Sequence, residues 1–406
     1  MPDQLKRSLS LPLITFYGLG SILGAGIYVL IGEVAAKAGF YTPLSFLVAS
    51  FIAGFSAFSF AELSSRFPKS AGESLYTQAA FGRRLLSTTV GIMVIAVGVV
   101  SAATISRGFI GYLHVFFEFP DWLALSCLIV GLGLVACWGI SESVTAISLM
   151  TIIELSGLLY VLWIGGDSLA GLPTRLPDMI SSLEVAGWPM VFSGAFLAFY
   201  AFIGFEDMVN VAEEVRKPRW NMPVAIILCF IISTTLYIAV ALVAVLSLPM
   251  EILAGSHAPL ALLHQFKTGT APMFITLVSL FAITNGALVQ IILGSRVLYG
   301  LSDQGWLPPC LGKVNPRTRT PLRATCLITA IILCMALWLP MVTLARITSL
   351  ITLLIFTCVN TALVVIKRRD PRPEGIFVVP MWVPCVAIFI NCFMIILELL
   401  QVLSVF

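Results

Sequence analysis

The chain has 406 residues, of which 59% are hydrophobic and 11% charged, with a mean hydropathy of +1.03. An ordinary soluble domain carries roughly 25% charged residues, so this chain has too little charge to cover a water-facing surface. That excludes a soluble enzyme, a disordered scaffold and a nucleic-acid binder as starting points. A net charge of +3 is too small to point to a nucleic-acid partner. The chain reads as an all-α integral membrane protein.

A bilayer core about 30 Å thick needs about 20 mostly apolar residues per helix. Scanned at that length, the sequence gives eleven candidate spans, at roughly 11–35, 42–63, 86–113, 122–139, 143–164, 188–212, 222–247, 271–300, 322–340, 343–366 and 382–404. The longest connections, 165–187 and 248–270, are too short to fold alone, so residues 1–406 are expected to form one transmembrane domain. The Lys6-Arg7 start looks like the charged head of a signal peptide. The apolar run behind it outlasts cleavage length, however, and offers no small-residue cleavage site, so it is read as the first span. The nine cysteines lie in or beside apolar runs without CxxC or Cys/His spacing, and read as small packing side chains rather than disulfides or metal ligands.

The basic residues set the orientation. With the N-terminus in the cytoplasm, only Lys37, Arg175 and Lys267 of the 23 fall outside, while Arg107, Arg296 and Arg346 lie within spans. All the others are inside, which fixes the topology by the positive-inside rule and leaves the C-terminus on the outer side.

Span 1 reads Gly18-Leu19-Gly20-Ser21-Ile22-Leu23-Gly24-Ala25-Gly26, and span 6 reads Phe199-Tyr200-Ala201-Phe202-Ile203-Gly204-Phe205-Glu206-Asp207. Each carries glycine near its middle, and acids follow the second. Unwound backbone survives in hydrocarbon only where it lines a cavity or a ligand. Two interrupted spans in corresponding places therefore point to an inverted-repeat transporter with substrate at the midplane. A helix restarting near Gly26 presents free N–H groups and a positive dipole end to a carboxylate. Carbonyls freed around Ile203 suit an ammonium. A zwitterion with both groups on one carbon, an α-amino acid, would bridge the two. The alternative reading is that Gly20 and Gly24 only permit close helix packing.

These segments resemble a known family, the amino acid–polyamine–organocation (APC) transporters, in their bacterial amino acid permease branch. The resemblance is carried by Gly20-Ser-Ile-Leu-Gly-Ala-Gly-Ile-Tyr28, Phe60-Ala-Glu-Leu-Ser-Ser-Arg-Phe-Pro-Lys69 and Phe202-Ile-Gly-Phe-Glu206 running on to Pro223. Gly294-Ser-Arg-Val-Leu-Tyr-Gly300 and Lys367-Arg-Arg-Asp-Pro371 follow in the family's order. The resemblance implies a LeuT-type 5+5 inverted repeat with discontinuous helices 1 and 6. Repeat 1 would cover about 10–165, repeat 2 about 187–367, and an extra helix about 382–404. It further implies carboxylate binding at Ile22, Gly24, Ala25 and Gly26. Amino-group and side-chain binding would fall to Phe199, Tyr200, Ala201 and Ile203, with Tyr200 or its neighbour Phe202 as an aromatic gate. Many relatives have a twelfth span outside the repeat core, so its lack here bears on dimer contacts rather than on transport.

Span 5 holds one ionisable residue, Glu154, where several relatives have a lysine beside the span 1 break. A carboxylate cannot replace that positive charge and must hold a proton or a cation, because an unpaired buried charge is very costly. Glu154 is therefore either the coupling site or a neutral structural glutamate. Ser148 and Thr151, on the same side of the helix, offer ligands for sodium if the ion is not a proton. Glu62 is expected to pair with Arg66 one turn later. Glu206 and Asp207 sit where acids cap a helix start, and Glu206 either caps or faces the pathway and tunes preference toward cationic side chains. Arg107 either snorkels to the outer interface or gates, whereas Arg296 and Arg346 are expected to snorkel. Asn285 and Gln290 in span 8 either line the site or bond between helices.

The reading is a secondary transporter of small amino acids in the cytoplasmic membrane, working by alternating access with a proton, or else sodium, as driving ion. It needs no cofactor, and its partners are the amino acid and membrane lipids. An ion-independent exchanger of amino acids or polyamines is the alternative. A membrane-embedded enzyme would need converging catalytic groups that the spans lack, and nothing resembles a channel's filter ring.

Overall fold

The computed structural model describes residues 7, 9–69, 72–138, 144–181, 187–303, 305, 307–315, 318 and 320–403. Lys6 and the side chains of Ala25 and Ser148 lie outside the described residues. Every segment read as a span is mainly helical where described. The main helices are α1 (Leu11–Leu23), α2 (Ala25–Ala38), α3 (Thr42–Arg66), α4 (Gly72–Phe81), α5 (Arg84–Leu113), α6 (Asp121–Trp138), α7 (Val144–Gly165), α8 (Leu172–Ser181) and α9 (Gly187–Phe199). They continue as α10 (Pro218–Ser247), α11 (Met250–Ala254), α12 (Pro259–Thr268), α13 (Met273–Asp303), α14 (Leu322–Trp338), α15 (Met341–Arg369) and α16 (Trp382–Leu403). Among the described residues nine stretches are long and apolar enough to cross a membrane. One of them, Leu11–Arg66, joins α1, α2 and α3, and the shorter apolar α14 stands outside the nine.

Helices suit this chain because in hydrocarbon each backbone N–H and C=O must find its partner within the segment. Several hydroxyls inside the spans are satisfied the same way. Thr104, Thr284 and Thr348 each donate to the carbonyl four residues earlier. The packing pairs α3 along α10, α5 along α13 and α6 with α14. Helix α1 rests on α7 and α10, and α9 rests on α15 and α3.

Two helices are interrupted. Gly24, at φ −47° and ψ −149°, separates α1 from α2. Helix α9 stops at Phe199, and a 3-10 turn over Tyr200–Phe202 leads to an extended Ile203. Gly204 then takes φ 129°, a conformation in which glycine avoids the strain of a Cβ, before a 3-10 helix over Phe205–Glu214. At the N-terminal face, Leu9 pairs with this second half. Its N–H donates to Glu214 O at 3.0 Å, and Arg216 N–H donates to Leu9 O at 2.8 Å.

That same face carries a buried ionic cluster. The Glu62 carboxylate accepts from Arg66 Nε at 2.8 Å, as the spacing predicts, and also from Lys367 Nζ at 2.7 and 3.0 Å. It takes the Val379 N–H at 2.8 Å as well, while Lys367 donates to Val379 O at 2.6 Å. The segment before α16 is thus clamped across the ends of α3 and α15.

Candidate functional site

The two breaks meet backbone to backbone. A Cβ on Gly26 would lie 2.8 Å from Ala201 Cα, and one on Gly204 would lie 2.3 Å from Ser21 O. Only glycine allows this approach. Tyr237, projecting from α10, ties the breaks together by donating its hydroxyl toward both Ile22 O (2.5 Å) and Ala201 O (2.9 Å). One O–H proton serves two carbonyls, so each oxygen keeps accepting capacity. No side chain caps the start of α2, leaving the N–H groups of its first turn for a ligand.

Beside the breaks lies a small chamber of about 50 Å³. Of the expected site residues, Ile22, Gly24, Gly26, Tyr200, Ala201 and Ile203 line it. Phe199 and Phe202 do not: Phe199 packs edge-on against Phe356 and Phe202 against Tyr237. The Tyr200 hydroxyl is held 2.8 Å from Ser101 Oγ on α5, which fixes the ring over the chamber. Asn285 and Gln290 also line it, and Asn285 bonds between helices as well.

Glu154 is fully buried behind Asn285, whose Nδ2 donates to Glu154 Oε1 at a long 3.4 Å. Its Oε2 has no hydrogen-bond partner. The Tyr28 hydroxyl donates to the Glu154 backbone carbonyl, and the Tyr112 hydroxyl donates to Tyr28 O. Thr151 Oγ1 donates to Phe16 O at 2.9 Å, so α7 is stitched to α1 next to the break.

A second, larger cavity of about 220 Å³ shares Ile203, Asp207 and Gln290 with the chamber and extends to Glu73 and Ser74 on α4, at the N-terminal face. Glu206 Oε2 accepts the Gly204 N–H at 2.8 Å, and the residue lines this cavity. Glu73, which lies outside the spans and so carries no signal in the apolar pattern, lines it too.

Arg107 lines neither cavity. Its Nη2 donates to Leu337 O at 2.9 Å and so caps the carbonyl end of α14. Arg346 likewise finds a partner inside the protein, Glu398 of α16, at 3.4 Å. The sequence signal was available, since Glu398 is an acid within an apolar span, but pairing across α15 and α16 needs their packing.

Interrupted helices meeting at a chamber among apolar spans define a membrane transporter rather than an enzyme. The family model described as "Amino acid permease" matches residues 9–404, and the chain belongs to that family. It is similar to the vacuolar cationic amino acid transporter 2 of Arabidopsis thaliana, at 29% identity over 91% of this chain and 61% of the relative. It is also similar to the branched-chain amino acid permease of Bacillus subtilis (strain 168), at 28% identity over 93% of this chain and 84% of the relative. The methylthioribose transporter of the same bacterium is 28% identical over 95% of this chain and 86% of the relative. The chain thus spans less than two thirds of the length of that plant transporter.

Proposed function

We propose that this chain is a secondary active amino acid transporter of the cytoplasmic membrane, with its N-terminus inside and its C-terminus outside. The substrate carboxylate docks on the free N–H groups at the start of α2, and the ammonium on the carbonyls of Ile22 and Ala201. The observation that carries this reading is the meeting of the two breaks at one chamber, with a helix start and unwound carbonyls facing the same space. The chamber suits the head group and a short side chain. A longer side chain would extend into the larger cavity.

The packing supports a 5+5 inverted repeat with eleven spans. In that scheme spans 2 and 7, 3 and 8, and 4 and 9 are symmetry mates, and these are the helices that pair. Span 1 against spans 5 and 7 is mirrored by span 6 against spans 10 and 2. The 220 Å³ cavity on the N-terminal side fits an inward-facing state of an alternating-access cycle.

Glu154 is the coupling group in this reading, and a proton is its ion. One carboxyl oxygen without a partner, sealed from water, suits a proton better than a cation that needs several ligands. Asn285 links the carboxyl to the chamber, so protonation there is felt at the substrate. Uptake of radiolabelled amino acids into proteoliposomes tests this, with an imposed proton gradient, sodium gradient or neither, for wild type and Glu154→Gln. The expected result is accumulation driven by the proton gradient in wild type, and exchange without accumulation in the variant. If both proteins only exchange and neither gradient matters, Glu154 is structural and the protein is an exchanger.

A further inference from the structure

The larger cavity has a chemistry of its own. Glu73 from α4 and Glu206 and Asp207 from the 3-10 helix after the second break line it together, and no lysine, arginine or histidine does so among the described residues. Glu73 and Glu206 are buried, and each lies close enough to Asp207 to feel its charge. Three carboxylates without a counter-ion repel one another, and such an arrangement is costly unless a cation is to be taken up.

An independent observation on the opposite wall points to a ligand. Along α15, Thr348, Thr357 and Thr361 each donate their hydroxyl to the carbonyl four residues earlier. Thr352 and Ser349 do not, and both are buried without a hydroxyl partner; of the two, only Thr352, 1% exposed, lines the same cavity as the acids. A buried, unpartnered hydroxyl that opens on a cavity is free to bond a guest.

We propose that Glu73, Glu206, Asp207 and Thr352 form a cation subsite on the inner side of the substrate chamber, which receives the guanidinium or ammonium at the end of a long basic side chain. The proposal rests on the amino acid reading above and narrows it to basic amino acids. The shared wall of Ile203, Asp207 and Gln290 lets one molecule hold its zwitterionic head at the breaks and its basic end among the acids. Gln290, abutting Gly98, stands between the two spaces. Besides Ser74 and Asn210, most of the remaining wall is apolar, including Val94, Val97, Leu293 and Ile355, and suits the methylene stem.

Arginine and citrulline separate this subsite from the rest, because they match in length and shape and differ in charge. Full-length protein in lipid nanodiscs is titrated with each at pH 7.5, for wild type, Glu73→Gln and Thr352→Val. The expected result is an arginine affinity at least tenfold above that for citrulline in wild type, with that ratio falling severalfold or more in each variant. Citrulline bound as tightly as arginine by wild type overturns the subsite and leaves the transporter reading standing. A ratio unchanged in both variants overturns the assignment to these residues. If wild type binds neither arginine and citrulline nor alanine and leucine, the amino acid reading fails, and the subsite with it. The wild-type comparison needs no variant, so a poorly folding substitution does not block the test.

Discussion

Gly204 packs directly on Ser21, so near that a Cβ would fall 2.3 Å from the Ser21 carbonyl oxygen. Gly204 also holds φ 129°, where any side chain adds strain of order 1–3 kcal/mol. Both effects act at the contact between the two breaks. Gly204→Ala is therefore expected to lower the thermal midpoint in detergent and to abolish amino acid uptake. Wild-type uptake by the alanine variant would mean that the breaks need not touch.

Tyr237 reaches the same region from α10 and satisfies two carbonyls with one hydroxyl. Tyr237→Phe removes a bond worth about 1 kcal/mol in a membrane interior. The freed carbonyls remain available to a substrate ammonium. Lower thermal stability with amino acid affinity kept or improved is the expected outcome, read by unfolding and competition binding on the same preparation. A tenfold loss of affinity would place the Tyr237 hydroxyl in contact with substrate instead.

The Glu62 cluster makes a prediction about coupling between helices. Glu62→Gln leaves both Lys367 and Arg66 short of their counter-charge, at a cost of about 3–5 kcal/mol, whereas Lys367→Met still leaves Glu62 its ion pair with Arg66. Removing both together leaves no such orphan, apart from Arg66, which keeps the Asp370 carbonyl as an acceptor at 3.0 Å. Denaturant unfolding of the two single variants and the double is expected to show strong non-additivity, with the double less destabilised than the sum. Additive losses would show that Val379 and Arg66, not the ion pair, hold this face together.

Much of this was legible in the residues. The spans follow from apolar runs of bilayer length, and the breaks from glycines where a helix has no reason to hold them. Glu62–Arg66 follows from a spacing of four. What pattern alone did not reveal is which residues from distant segments converge. Lys367 counts as an orientation charge in sequence, yet it lies 305 positions from its partner Glu62. Tyr237 is one aromatic among many in an apolar span until its hydroxyl is seen between two breaks. Phe199 and Phe202 flank Tyr200 in sequence but turn away from the chamber, because a 3-10 turn rotates successive residues by about a third of a circle. Glu73 is not in a span, so the apolar pattern gives it no mark. Its role depends on the short helix α4 folding under the cavity mouth.

Glu73 also makes the cation subsite sensitive to pH in a direction that can be worked out. It lies outside the membrane-spanning segments, and burial, helped by the nearby Asp207 charge, pushes its carboxyl up to about 7. The groups that face it are Asp207 and Glu206 from the 3-10 helix and Tyr76 from its own helix. In the empty cavity Glu73 is therefore neutral below about pH 7 and charged above it. A guanidinium entering the cavity favours the charged form, so arginine binding at pH 6 to 7 must displace a proton, and its affinity must rise with pH across that range. Citrulline carries no such charge and should show a flatter profile. Glu73→Gln removes this residue's share of the slope and leaves whatever Asp207 and Glu206 contribute. Titrations at pH 6, 7 and 8, in two buffers of different ionisation enthalpy, read both the affinity and the proton released. An identical slope in wild type and Glu73→Gln would mean that Glu73 does not touch the guest's charge, and that the subsite is formed by the 3-10 helix alone.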